Sequence, residues 1–229
     1  MSGVTGPAWS ACVNKPDKPI QVPDHATALA QYRRRAGVYD LELALFEPIR
    51  RQAIARLGLR RGDVVLDVGC GTGLSLELLQ HDIGARGRII GIEQCPEMIE
   101  RARARVAQNH WRNVTLLCSP AECAEIAGQA QAALFHFTHD ILRSPEAIAN
   151  VLGHLQPGAG VVASGLKWAA DWAIPANLFV WSAALHSATS LEGLHEPWSR
   201  LADSTGPLEV QTLLMDAVYI ASGRLAQRV

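Results

Sequence analysis

Two stretches hold residue types whose spacing could do chemistry. The first, Val64-Val65-Leu66-Asp67-Val68-Gly69-Cys70-Gly71-Thr72-Gly73, runs an apolar strand into a glycine-rich turn and then a helical pattern. Glycines there permit positive φ and close approach to the backbone, which suits a nucleotide-like ligand at the strand ends of an open α/β sheet. A dinucleotide fingerprint needs a glycine at position 74, which is Leu74, and no Gly-Lys-Ser/Thr follows to make a P-loop. Glu93, about two dozen residues on, ends a second apolar run, where a carboxylate can accept from both ribose hydroxyls. The second stretch is Phe135-His136-Phe137-Thr138-His139-Asp140. Its His136-x-x-His139 pair does not read as a metal site, because strand side chains alternate between faces and no third ligand is evident.

These residues need elements to position them, and the pattern supplies a repeat of strands and helices. Apolar runs at Asp63–Val68, Arg88–Ile92, Val114–Cys118, Ala132–Phe137 and Gly160–Leu166 read as five strands. Between them lie helical patterns over Thr72–Gln80 and Pro96–Gln108, and one opened by Ser144-Pro145 and stopped by Pro157-Gly158. In the Pro96–Gln108 segment Met98, Ile99, Ala102 and Val106 share one apolar face, so Met98 reads as core. Two closing strands fall near Leu208–Met215 and Val218–Ala221. Such alternation predicts a mostly parallel seven-stranded sheet with helices on both faces and an antiparallel edge strand. The fold class is therefore α/β.

Residues 1–57 are expected to form an N-terminal arm and helical lid, the helical part interrupted at Pro48, ahead of a core over 58–229. Within that core, 167–206 breaks the repeat and holds four of the six tryptophans, Trp168, Trp172, Trp181 and Trp198. This insertion reads equally as a satellite core or a substrate wall. The composition narrows the partners: 21 Lys plus Arg against 22 Asp plus Glu leaves no basic field for nucleic acid or an anionic membrane. No run approaches the ~20 apolar residues of a membrane span, and the N-terminus lacks a signal-peptide pattern, so a cytoplasmic protein is expected. The five cysteines are odd in number with no CxxC spacing, which argues against a disulfide framework and a four-ligand zinc site.

Leu66-Asp67-Val68-Gly69-Cys70-Gly71-Thr72-Gly73 and Gly91-Ile92-Glu93 resemble the first two motifs of class I S-adenosylmethionine-dependent methyltransferases. The resemblance runs in order and spacing over about residues 26–166 and implies the Rossmann-like fold of that family. By position it places Asp67, Gly69, Cys70 and Gly71 along the methionine half of the cofactor, Glu93 on the ribose, and Gln94 with Met98 beside the adenine. Ser119-Pro120-Ala121-Glu122 falls where the family commonly has an adenine loop; Pro120 stands where an Asp usually accepts from the adenine amino group, and the resemblance leaves the Ala121 backbone N–H to reach the ring, with Glu122 beside it. Tyr32 and Tyr39 resemble N-terminal tyrosines that close over the cofactor in some members.

The implied activity is methyl transfer from S-adenosylmethionine to a small molecule by a monomer or homodimer, with no metal, nucleic acid or membrane. Alternatives on the same fold are transfer or cyclisation of the aminocarboxypropyl arm, releasing methylthioadenosine, and a non-catalytic cofactor-binding protein. For the acceptor, His139 is the expected base with Asp140 to orient it, since the fourth strand's exit borders the crevice. Alternation places His136 and Phe137 on opposite faces, one approaching the cofactor and the other under a helix.

Overall fold

In a computed structural model, residues 46–187 and 191–226 are described, the side chains of 184–187 excepted. The chain enters through α1 (Glu47–Arg56) and then alternates β1 (Val64–Val68), α2 (Leu76–Ile83), β2 (Arg88–Glu93), α3 (Pro96–Gln108) and β3 (Val114–Cys118). It continues through β4 (Ala130–His136), the single turn α4 (His139–Leu142), α5 (Pro145–Gly153) and β5 (Leu155–Leu166). Helices α6 (Ile174–Ser187) and α7 (Ser199–Thr205) precede β6 (Glu209–Leu213) and β7 (Val218–Arg224).

The strands form one seven-stranded sheet in the order β3-β2-β1-β4-β5-β7-β6. β1, β2, β3, β4 and β5 pair in parallel, and β7 runs antiparallel to both β5 and β6. The antiparallel strand thus stands one place in from the edge, where β6 lies. Strand order reverses between β1 and β4, and an open sheet of this kind has its crevice at that point, beyond the carboxyl ends of the strands. Both chemistry-bearing stretches of the sequence therefore end side by side.

Apolar residues fill both faces. On one, Val65, Ala132, Leu134, Val162 and Ile220 meet α1 and α2 through Ile49, Ala53, Ile54, Leu76 and Leu79. On the other, Leu66, Phe135, Val161 and Tyr219 meet α5 and α7 through Ile148, Val151 and Leu201. Residues 47–57, expected with the lid, belong instead to this core: Ile54 and Leu57 are buried on the sheet. Pro48 does not break the helix but sits in the first turn of α1, where no intrahelical N–H is needed.

Two further boundaries move for local reasons. The helix after the glycine turn begins at Leu76 rather than Thr72, because Gly73 is left-handed at φ 81° and its N–H closes a turn on the Cys70 carbonyl. Pro157-Gly158 does not stop the chain before the fifth strand; β5 runs through it, with a register shift against Ala130–Ala132 that removes the need for the proline N–H.

Candidate functional site

The turn after β1 is built by hydrogen bonds to β2. Gly69 and Cys70 donate their N–H groups to the Ile92 carbonyl at 2.8 and 3.0 Å, and Gly71 donates to Glu93 Oε2 at 3.1 Å. Glu93 Oε1 accepts from the Cys95 N–H at 2.7 Å, so the carboxylate ties the ends of β1 and β2 together. Burial raises the Glu93 carboxyl above its ordinary value, opposed by the N–H groups of Cys95, Gly71 and Gln94. Gly69, at φ 70°, has no room for a side chain: a Cβ would lie 2.4 Å from Thr138 Cγ2 at the exit of β4. Cys70 turns its thiol toward Gly91, where an added Cβ would meet the sulfur at 3.0 Å, so it borders the crevice through its backbone.

Asp67 and His136 share a sheet face: Asp67 pairs with Leu134, two residues before His136, and His136 pairs with Ser164. Arg50 of α1 is 2% exposed, with Nη1 paired to Glu47, and its charge bears on both. Burial pushes the Asp67 carboxyl from 3.8 up to about 7, against the pull of Arg50, with Glu93 adding to the rise. His136 Nδ1 lies 2.7 Å from Ser164 Oγ. Burial, with the Arg50 charge behind it, holds this imidazole well below its ordinary 6.5, and it is neutral at physiological pH. Three atoms in this cluster are sealed from solvent with no hydrogen-bond partner among the described residues: Asp67 Oδ2, Arg50 Nε and His136 Nε2.

The exit of β4 departs from simple alternation. Phe137 leaves the strand in a left-handed conformation, φ 58°, held by its N–H on the Ser164 carbonyl at 2.7 Å. His136 and Phe137 consequently do not separate to opposite faces; their rings meet edge to face at 4.8 Å. Phe137 also packs on Phe46, centroids 4.8 Å apart, and Phe46 lies 6.2 Å from Phe179 of α6. At that exit His139 and Asp140 open α4. His139 Nε2 is 3.0 Å from the Glu192 carbonyl, which can only accept, so this nitrogen carries the proton; Arg143 holds the Glu192 carboxylate at 2.6 Å.

The remaining expected residues lie after β2, in α3 and in the turn after β3. Gln94 follows β2, half-buried. Met98 is 1% exposed in the first turn of α3, within the core. Ala121 and Glu122 lie in a short turn, Ala121–Cys123, whose Ala121 carbonyl accepts from Asn150 at 2.8 Å. Tyr32 and Tyr39 lie outside the described residues. Within 167–206, Trp198 packs at a tilt on Tyr219 in the wall of the core and Trp168 packs on a small cluster of Ala169, Ala173 and Val180. Trp172, Leu178 and Trp181 are exposed. Among the described residues no group of three or more His, Cys, Asp or Glu converges as a metal site would require.

Sequence reasoning missed Arg50, Ser164 and Phe46. For Arg50 the sequence offers one signal, its place three residues after Glu47 on the face carrying Ile49, Ala53 and Ile54. Ser164 was a lone polar residue in an apolar strand, which does call for a buried partner.

The fold and this glycine turn define a Rossmann-like class of S-adenosylmethionine-dependent methyltransferases. Residues 65–158 match the family model described as a methyltransferase domain, and over that stretch the chain is similar to class I S-adenosylmethionine-dependent methyltransferases. Aklanonic acid methyltransferase DauC from Streptomyces sp. (strain C5) is 33% identical over 92 residues, 40% of this chain and 42% of that protein. Protein-L-isoaspartate O-methyltransferase from Ignicoccus hospitalis is 44% identical over 59 residues, 26% of this chain and 28% of that one. The matches thus span less than half the length of these relatives. N-methyltransferase NodS from Bradyrhizobium japonicum WM9, solved with S-adenosyl-L-homocysteine, superposes with a TM-score of 0.63 at 19% identity, covering 87% of this chain and 99% of that chain. No described helix is long and apolar enough to cross a membrane.

Proposed function

We propose that the chain transfers a methyl group from S-adenosylmethionine to a small molecule. The observation that carries this reading is the Glu93 carboxylate closing the glycine turn across the ends of β1 and β2, beside the strand-order reversal. The site suits such a cofactor: Gly69 leaves no space for a side chain, and Asp67 Oδ2 is a sealed acceptor to which an ammonium group would bind. Glu93, each oxygen of which keeps a lone pair, is positioned for the ribose, with Gln94, Ala121 and Glu122 toward the adenine. Met98 would support that side from the core beneath.

When bound, the cofactor supplies an electrophilic methyl on a sulfonium. What the chain contributes is alignment and exclusion of water, which matter most for an in-line displacement that leaves a neutral thioether. Phe46, Phe137 and Phe179 form an aromatic wall at the exit of β4, and the exposed Trp172, Leu178 and Trp181 extend an apolar surface along 167–206. That wall favours an apolar small acceptor, as does the likeness to an aklanonic acid methyltransferase. His139 and Asp140 stand at the rim on the acceptor side, where His139 also anchors the Glu192 segment.

Incubation of the protein with S-adenosylmethionine and a panel of aromatic acceptors, with the nucleoside product identified, tests the proposal. S-adenosylhomocysteine with a methylated acceptor is the expected result. Methylthioadenosine would show that the aminocarboxypropyl arm is transferred instead. Absence of both, with no calorimetric binding of S-adenosylhomocysteine, would defeat the reading.

A further inference from the structure

We infer that the outer face of α6 seats a second copy of this chain, the two joined about a twofold axis. The inference stands independently of the cofactor reading above.

α6 carries two apolar stripes instead of one. Ala176 and Val180, with Ala173 just before the helix, are buried against Leu194 and Ala217 in a small cluster of their own. Ile174, Leu178 and Trp181, at i, i+4 and i+7, form a second stripe that faces outward, 72, 62 and 47% exposed. Between Ile174 and Ser187 there is no Asp, Glu, Lys or Arg. A helix apolar on both sides belongs in an interior, and this one has only its inner side covered.

The turn between β6 and β7 stands beside it. Ala217 packs in the same cluster as Ala176 and Val180, and its carbonyl accepts the Lys167 N–H at 3.0 Å. At the tip, Leu214, Met215 and Asp216 are all left-handed, at φ 52, 55 and 68°, with no glycine among them. Such a backbone is costly for residues with a Cβ, and here it holds two apolar side chains, Leu214 and Met215, out in solvent.

Area and charge select the occupant. Trp172, which precedes α6 at 76% exposed, the outer stripe and the two turn residues bare on the order of 800 Å² together, about what each partner of a standard-size interface covers. A helix that lies on a membrane carries Lys or Arg along its polar side, and α6 has none. Set against a copy of itself, the uncharged helix opposes no like charges, and its aromatic and aliphatic side chains suit the core of a homodimer interface. The partner copy would also roof the acceptor wall, to which α6 contributes Phe179.

Sedimentation equilibrium of the chain over a range of concentrations tests this. The protein should reach twice its own mass with a dissociation constant of about 1 µM or tighter, the weak end of what such an area supports. Ile174→Glu and Leu178→Glu should each weaken the dimer by ~100-fold or more, because each buries a carboxylate with no cation opposite it. Both side chains are exposed in the single chain, so the melting curve of the dilute variants should match that of dilute wild type. Val210→Glu, at an exposed position on the edge strand β6, should leave the dimer intact. A dimer that survives both α6 variants, or one that Val210→Glu breaks as readily, overturns the assignment. A wild-type protein still monomeric at about 100 µM overturns it as well. Oxidative footprinting of Trp172 and Trp181 and pelleting with phosphatidylcholine vesicles would then name the true occupant: protected tryptophans in the monomer assign the face to residues 1–45 of the same chain, and pelleting assigns it to a lipid surface.

Discussion

Glu93 Oε2 accepts the Gly71 N–H at 3.1 Å, joining the end of β2 to the turn that leaves β1. One side chain thus shapes the turn and, in the function proposed above, holds the ribose. Glu93→Ala should weaken S-adenosylhomocysteine binding by ~30-fold or more and lower stability by about 1–3 kcal/mol, through two lost hydrogen bonds to a carboxylate. Glu93→Gln retains one oxygen and should recover part of both. Calorimetry with thermal melting separates the effects; an alanine variant that binds normally would remove Glu93 from the site.

Gly69 meets the exit of β4 so closely that Gly69→Ala must displace Thr138 or the turn itself, from a backbone at φ 70° that alanine adopts only under strain. The expected loss is about 1–3 kcal/mol in a urea titration, with binding of S-adenosylhomocysteine reduced further because turn and exit move together. A variant as stable as wild type would mean that the β4 exit yields freely.

The glycine turn, Glu93 and the strand-helix alternation were legible because each leaves a local mark: glycine where φ is positive, an acid at a strand end, an apolar run between polar breaks. The Arg50–Asp67–His136 cluster was not. It joins α1, β1 and β4 across 86 residues of chain, and no period or spacing marks side chains that meet only through the sheet. The reading of His136 and Phe137 on opposite faces failed for a related reason. Alternation holds only while the backbone stays extended, and Phe137 leaves it at φ 58°. The opening of α4 at His139 was equally invisible, since a single helical turn has no period to read.

His139 tests how far a rim residue serves positioning. Its Nε2 holds the Glu192 carbonyl, and Arg143 holds the Glu192 side chain, so both brace the segment after α6 against α4. His139→Ala and Arg143→Ala should each raise the KM for an acceptor, by less than about tenfold, the worth of one hydrogen bond or exposed ion pair. Affinity for S-adenosylhomocysteine should be unchanged. A kcat loss of more than about a hundredfold in His139→Ala alone, with an altered pH profile, would instead assign it the proton transfer.

Asp67 should make cofactor binding depend on pH near neutrality. Burial raises its carboxyl from 3.8 to about 7 in the ligand-free fold, with Arg50 opposing and Glu93 adding to the rise. A group whose folded value is raised contributes stability below its unfolded value and loses it as pH rises through the folded one. Stability of the ligand-free protein should therefore decline between about pH 4 and 7 through this residue, and Asp67→Asn, which never ionises, should be the more stable protein at pH 8 by up to about 2–4 kcal/mol. Binding has the opposite dependence: an ammonium is held by the carboxylate, so below pH 7 Asp67 must release a proton on binding. S-adenosylhomocysteine affinity should accordingly rise between pH 6 and 8, by less than about tenfold per pH unit. Calorimetry at pH 6 in buffers of different ionisation enthalpy should register that proton. A protein that binds with no proton released at pH 6, or an Asp67→Asn variant that binds S-adenosylhomocysteine as tightly as wild type at pH 8, would show that the ammonium is held elsewhere.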